Sequence, residues 1–190
     1  MFYSFETDTT PIYTYSENFI TPEECQEIIK IGLKLKPKFG GLIGNDNGDP
    51  KIRKSNTSWI HPVPEYKWIF DKIVPKIQYI NNNSFKFNIY GLNEGLQFTH
   101  YKAPGGHYGK HIDKHYKYLI RRLSFTIQLN DPTKYKGGDL QLYDGESPKV
   151  MKRQIGSMTM FPSYVLHQVT PVTKGERFSL VGWITGANIR

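Results

Sequence analysis

From Phe85 onward, apolar and polar residues alternate in short runs broken by Gly, Pro and Asp. Alternation at a period of two marks half-buried strands, and many such strands in succession must protect their edges by closing into a sandwich or barrel. The runs predict strands at Phe85–Tyr90, Leu96–Lys102, Tyr108–Asp113, Leu123–Leu129, Gly138–Tyr143, Ser157–Phe161, His167–Val169 and Arg177–Ile184. Eight short strands in one unit predict a jelly roll.

The stretch before Phe85 has a different period. Thr21-Pro22-Glu23-Glu24 carries an N-cap, a proline at the first helical position and the glutamate of a capping box, with Ile20 and Cys25 placed as a hydrophobic staple. Cys25, Ile28, Ile29 and Leu33 then recur at helical spacing until Lys36-Pro37, which predicts a helix over about 22–35. Gly40 to Pro50 is polar and glycine-rich and predicts a surface loop, and Ile52 to Ile60 predicts a strand. Pro64 opens a second helix, bent at Pro75 and stopped at Asn81-Asn82-Asn83. The expected fold class is mainly β (α+β): one domain over 1–190, with a helical part over about 19–80 and a jelly-roll core over about 85–186.

A chain of 190 residues buries enough surface to fold on one core without staples. Its single cysteine forbids an intrachain disulfide or a cysteine zinc cluster, and fits a reducing compartment. No secretion signal and no apolar run of membrane-spanning length is visible, so the expectation is a soluble, cytoplasmic chain without a membrane partner. The abundance of Lys, Asn, Ile, Phe and Tyr suggests an AT-rich genome, bacterial or viral. The charge of +8 comes from 25 Lys and Arg against 17 Asp and Glu; Lys30, Lys34, Lys36 and Lys38 cluster, as do Lys114, Lys117, Arg121 and Arg122, but acidic residues interrupt most other stretches and a solvated face explains most of the excess.

The chemistry gathers in the second half. Within His111-Ile112-Asp113 a strand sends His111 and Asp113 to one face, and His167 follows 54 residues after Asp113. Two imidazoles and one carboxylate on one side of an ion form the facial triad of non-haem Fe(II) sites, while a lone H-x-D more often serves a turn or a salt bridge. A competing pattern, His107, His111 and His115 at spacings of four, would need a helix that Gly105, Gly106 and Gly109 oppose, which leaves His107 and His115 as loop or surface residues. Arg177 follows His167 by ten residues and alternates inward with Ser179, Val181 and Trp183. A guanidinium inside a barrel needs an anion, either a structural acid or a bound carboxylate.

Four stretches together, FITPEEC, YKAPGGHYGKHID, LSFTIQLNDPTKYKGGDLQLY and GSMTMFPSYVLHQVTPVTKGERFSLVGW, resemble the prolyl-4-hydroxylase-like group of 2-oxoglutarate and Fe(II)-dependent dioxygenases, including the bacterial PKHD-type hydroxylases. The resemblance runs from Phe19 to Trp183 and implies a double-stranded β-helix with supporting N-terminal helices. It implies Fe(II) on His111, Asp113 and His167, with the distal carboxylate of 2-oxoglutarate on Arg177. Tyr101, Gln128, Leu140 and Trp183 would line the co-substrate pocket, and Arg53 and Tyr108 would face the substrate. Gln128 departs from the animal enzymes, which carry a tyrosine there.

The implied reaction consumes O2, with ascorbate as an accessory reductant, and hydroxylates a prolyl residue of a peptide or protein. Other readings are a free amino acid or small metabolite as substrate, a non-catalytic metal-binding jelly roll, and an AlkB-like action on nucleic acid. The last lacks its second arginine, because position 183 is Trp. The oligomeric state stays open.

Overall fold

The computed structural model describes residues 10–40, 49–114 and 120–187. After β1 (Thr14–Ser16), helix α1 spans Pro22–Lys34. Its capping box forms as its residues predict: Thr21 Oγ1 accepts from the Glu24 N–H at 3.2 Å, and the Glu24 carboxylate accepts from the Thr21 N–H at 2.8 Å. The buried stripe differs in one place. Leu33 is exposed, and Gly32 takes the inward position because the Phe98 ring leaves no room for a side chain.

Three short strands follow: β2 (Lys38–Phe39), β3 (Arg53–Lys54) and β4 (Asn56–Ile60). The single strand expected over 52–60 is therefore two, divided at Ser55, because the chain crosses there from one sheet to the other. Helix α2 (Lys67–Ile80) runs through Pro75, and a π-turn carries the chain on from Asn81 to Phe85. Asn81 fixes this exit by a two-way bond of its amide to the Phe87 backbone, so the strand expected from Phe85 shortens to β5 (Ile89–Gly91).

The remaining strands are β6 (Leu96–Lys102), β7 (Gly106–His111), β8 (Arg121–Gln128), β9 (Lys136–Gly137), β10 (Leu140–Tyr143), β11 (Pro148–Val150), β12 (Met158–Pro162), β13 (Leu166–Lys174) and β14 (Glu176–Gly186). Strand β13 continues past Val169, where the expected strand ends, and through Pro171. The ladder shifts register between Val169 and Val172, and such an irregularity tolerates a residue without an N–H.

One sheet has the order β1-β12-β8-β14-β6-β4-β2, with β5 also on β14; the other has the order β11-β10-β13-β7-β3, with β9 also on β13. Every pairing is antiparallel, and the two sheets form a double-stranded β-helix, the jelly roll that the alternation predicts. Helices α1 and α2 pack through Ile28, Ile69 and Ile73 on one face of the larger sheet, against Phe98, Phe125 and Leu180. A smaller cluster, with Leu142, Phe161, Val169 and Val172, lies around the other sheet. The larger sheet's second face is also buried, yet it presents Gln97, Thr99, Ser124, Gln128, Arg177 and Ser179. Polar groups enclosed this way need partners, which makes that face the place to look for a site. Among the described residues no helix is long and apolar enough to cross a membrane.

Candidate metal centre

Strands β7 and β13 pair with His111 opposite His167, so the ladder itself sets the two imidazoles side by side, with ring centroids 4.1 Å apart. Asp113 is placed differently from the sequence expectation. Strand β7 ends at His111, and the Asp113 N–H donates to the Ser163 carbonyl at 2.9 Å, so the turn between β12 and β13 delivers the carboxylate instead of the strand. One ligand atom from each of the three residues lies within 4.8 Å of the others.

The donor chemistry is more decisive than the distances. His111 Nδ1 lies 2.8 Å from the Gly109 carbonyl and His167 Nδ1 lies 2.9 Å from the Val165 carbonyl. A carbonyl only accepts, so the proton of each neutral ring sits on Nδ1 and the lone pair on Nε2. Those two Nε2 atoms face the Asp113 oxygens at 3.6 and 3.5 Å. Four acceptor atoms thus converge with no proton between them, an arrangement that a cation satisfies. Burial, and next the neighbouring His167, push the His111 imidazole down to about 4, which keeps it neutral and ligating at neutral pH. Burial raises the Asp113 carboxyl, but His167 and His111 outweigh it and hold the group below the ordinary carboxylate range. The nearby Trp183 indole and the Ser124 hydroxyl add to that lowering.

The rings are held on their outer sides. Tyr108 stacks on His111 at 3.5 Å, the Arg53 guanidinium lies 4.6 Å over Tyr108, and Phe161 meets the His167 ring edge-on at 4.8 Å. The register that pairs Arg53 with Tyr108 across β3 and β7 builds this stack. Burial pushes the Tyr108 phenol up to about 12. Arg53 itself is 6% exposed and donates to Ser55 Oγ at 2.8 Å and to Gln97 Oε1 at 2.7 Å.

On the polar face of the larger sheet, Arg177 pairs across the ladder with Tyr101, and Ser179 pairs with Gln128. Arg177 is 2% exposed; its guanidinium lies 5.2 Å over the Tyr101 ring and donates weakly to Ser179 Oγ at 3.4 Å, while its Nε has no acceptor among the described residues. Among the described residues no carboxylate pairs with it. A buried guanidinium in this state is costly unless an anion joins it, so the residues fit a bound carboxylate. Leu140 lines the same space with Gln128 and Gly138.

A cleft of about 510 Å³ opens beside Asp113 and is lined by Tyr108, Arg53 and Trp183 and, at its mouth, by Leu35, Phe39, Trp59 and Ile112. Sequence reasoning missed two features, one on this wall and one beside Gln128. Arg121 forms a bidentate pair with Glu94, at 2.7 and 2.6 Å, and its guanidinium lies 3.9 Å over the Trp183 ring. The partners are 27 residues apart, and no local pattern signals the pair. The other missed residue is Tyr135, 2% exposed, whose hydroxyl lies 2.9 Å from the Gln128 amide. His107, expected in a loop or on the surface, lies within β7 with its ring nitrogens on the Gly105 and Lys51 carbonyls, and His115 lies outside the described residues.

Residues 96–185 match the model of the 2OG-Fe(II) oxygenase superfamily. The chain is 32% identical over 173 residues to a PKHD-type hydroxylase of Crocosphaera subtropica (strain ATCC 51142 / BH68), covering 88% of this chain and 76% of the relative. It is 43% identical over 116 residues to a PKHD-type hydroxylase of Prochlorococcus marinus (strain NATL2A), covering 60% and 51%. In several such matches the chain spans about half the length of the curated relatives or less. Among solved structures, a prolyl hydroxylase of Trichoplax adhaerens, in complex with a hypoxia inducible factor peptide fragment, superposes with a TM-score of 0.78 at 20% identity, covering 92% of this chain and 84% of that one.

Proposed function

Because this chain belongs to the PKHD-type hydroxylases of the 2OG-Fe(II) oxygenase superfamily, we propose that it is an Fe(II)- and 2-oxoglutarate-dependent hydroxylase, with 1–190 acting as one catalytic unit and a prolyl residue of a peptide or protein as substrate. The observation that carries the reading is a pairing of two clusters: three side chains that converge with acceptor atoms alone, and a buried arginine that no carboxylate of the described residues pairs with. A metal-binding module without turnover gives no reason for the second.

His111, Asp113 and His167 hold the ion, and Asp113 offsets part of its charge. Arg177 holds the distal carboxylate of the keto acid beside Tyr101, with Gln128, Leu140 and Trp183 around them. Iron, 2-oxoglutarate and O2 together supply the oxidation that converts a substrate C–H to C–OH, while the keto acid leaves as succinate and CO2. The chain's own part is position and exclusion. The carbonyls of Gly109 and Val165 fix the rings, and Tyr108 and Phe161 shield them from solvent. Leu35, Phe39, Trp59 and Ile112 at the open mouth suit an extended peptide better than a small metabolite, with Arg53 and Tyr108 facing it. The Trichoplax neighbour with its bound peptide supports that choice.

Two titrations and one assay test this. His167→Ala is expected to lose Fe(II) affinity, whereas Arg177→Ala keeps iron and loses 2-oxoglutarate by tenfold or more. Equal loss of both ligands in both variants contradicts the assignment. Succinate release over a peptide panel, with and without ascorbate, then identifies the substrate, and release that no prolyl peptide stimulates argues against the substrate class.

A further inference from the structure

The Gln128 amide carries information about a residue outside the sites drawn above. Asn130 is pinned by backbone: its Nδ2 donates to the Glu176 carbonyl at 2.8 Å, and its Oδ1 accepts from the Phe178 N–H at 2.9 Å. That orientation turns an acceptor toward Gln128, whose Nε2 approaches it at 3.5 Å, so the nitrogen of the Gln128 amide faces this way. The same nitrogen donates to the Tyr135 hydroxyl at 2.9 Å. The Arg177 guanidinium lies near enough to act on the phenol electrostatically. An amide nitrogen has only protons to offer, so the phenol oxygen accepts on this side and its own proton must point elsewhere.

Around the same Gly138 lies the Arg177 side chain, whose Nε–H has no acceptor among the described residues. Two buried donors that no described residue receives therefore sit together. Gly138 is what lets them adjoin: with φ at +69°, a Cβ there would press on Arg177 Cδ at 3.0 Å and on Tyr135 Cε2 at 3.4 Å. Burial raises the Tyr135 pKa, so the proton is present to donate at neutral pH.

We propose that the Tyr135 hydroxyl is a further ligand for the distal carboxylate of 2-oxoglutarate, donating to it beside Arg177, and that Gln128 acts as a positioning residue that aims the hydroxyl. This rests on the proposed function, in which Arg177 holds that carboxylate. The test is a pair of anaerobic calorimetric titrations of the Fe(II)-loaded protein, with 2-oxoglutarate and with 2-oxobutyrate, which keeps the keto acid end and lacks the distal carboxylate. Tyr135→Phe is expected to weaken 2-oxoglutarate about tenfold or more and to leave 2-oxobutyrate unchanged, since a hydrogen bond to a charged group is at stake. Gln128→Met is expected to shift the same ligand in the same direction by less, and to add nothing in the Tyr135→Phe background. It supplies the answer should Tyr135→Phe fold poorly.

Unchanged 2-oxoglutarate affinity in Tyr135→Phe, or equal weakening of both keto acids, overturns the assignment while leaving the proposed function in place. Wild-type protein that binds 2-oxoglutarate no better than 2-oxobutyrate overturns the reading beneath it as well.

Discussion

His111 shows how one side chain is tuned by its neighbours. Burial first, and the adjacent His167 next, bring it down to about 4 from an ordinary value of 6.5. Between those values the unfolded chain binds a proton that the folded chain refuses, so the stability of metal-free protein rises with pH across this window. On acidification from pH 6.5 to 4 the group removes about 3 kcal/mol, and above 6.5 its influence ends. Urea unfolding of chelator-treated protein at several pH values reads this directly, and a midpoint that stays flat from pH 7 to 4.5 contradicts it. The triad residues were legible in sequence because their types are rare in combination. Tyr135 was not, because its meaning depends on where Gln128 and Arg177 turn their nitrogens.

Among elements, α1 has its ends specified locally and its orientation specified by the sheet. Thr21, Pro22 and Glu24 start it wherever it lies, since a capping box closes within four residues. Which face it buries is set by β6. Gly32 sits against Phe98 so closely that a Cβ would lie 2.2 Å from the ring, and the Gly32 carbonyl accepts from Ser58 Oγ at 2.8 Å. Gly32→Ala is expected to cost about 2 kcal/mol or more through overpacking, despite alanine's better helix propensity. Denaturant unfolding checks the loss, and Phe98→Leu in the same background should recover part of it; a neutral or stabilising Gly32→Ala refutes the packing argument. The same kind of outside influence divides the strand expected over 52–60 at Ser55, where β3 joins β7 and β4 joins β6. Alternation reveals a strand but not its partner.

At the scale of the whole molecule, the charge of +8 matters where it is left unopposed. Lys36 and Lys38 line the cleft mouth and are exposed, while the acids lining the cleft are Glu94, held by Arg121, and Asp113, in the triad. A peptide with acidic residues flanking its target is expected to bind better than a basic one of the same core. Reversing both lysines, K36E with K38E, should raise KM for the acidic peptide several-fold and weaken its dependence on ionic strength. Steady-state succinate release at two salt concentrations decides it, and an unchanged KM removes the rim from substrate recognition. By itself the sequence determined the classes of element, the jelly roll and the identity of the triad and the inward arginine, because alternation, capping and ligand type act over a few residues. Only the tertiary structure decided which strands face each other. That choice set His111 against His167, tied Asp113 to the Ser163 carbonyl and buried Arg177 away from any carboxylate of the described residues, since contacts between distant segments depend on register and burial that no local pattern encodes.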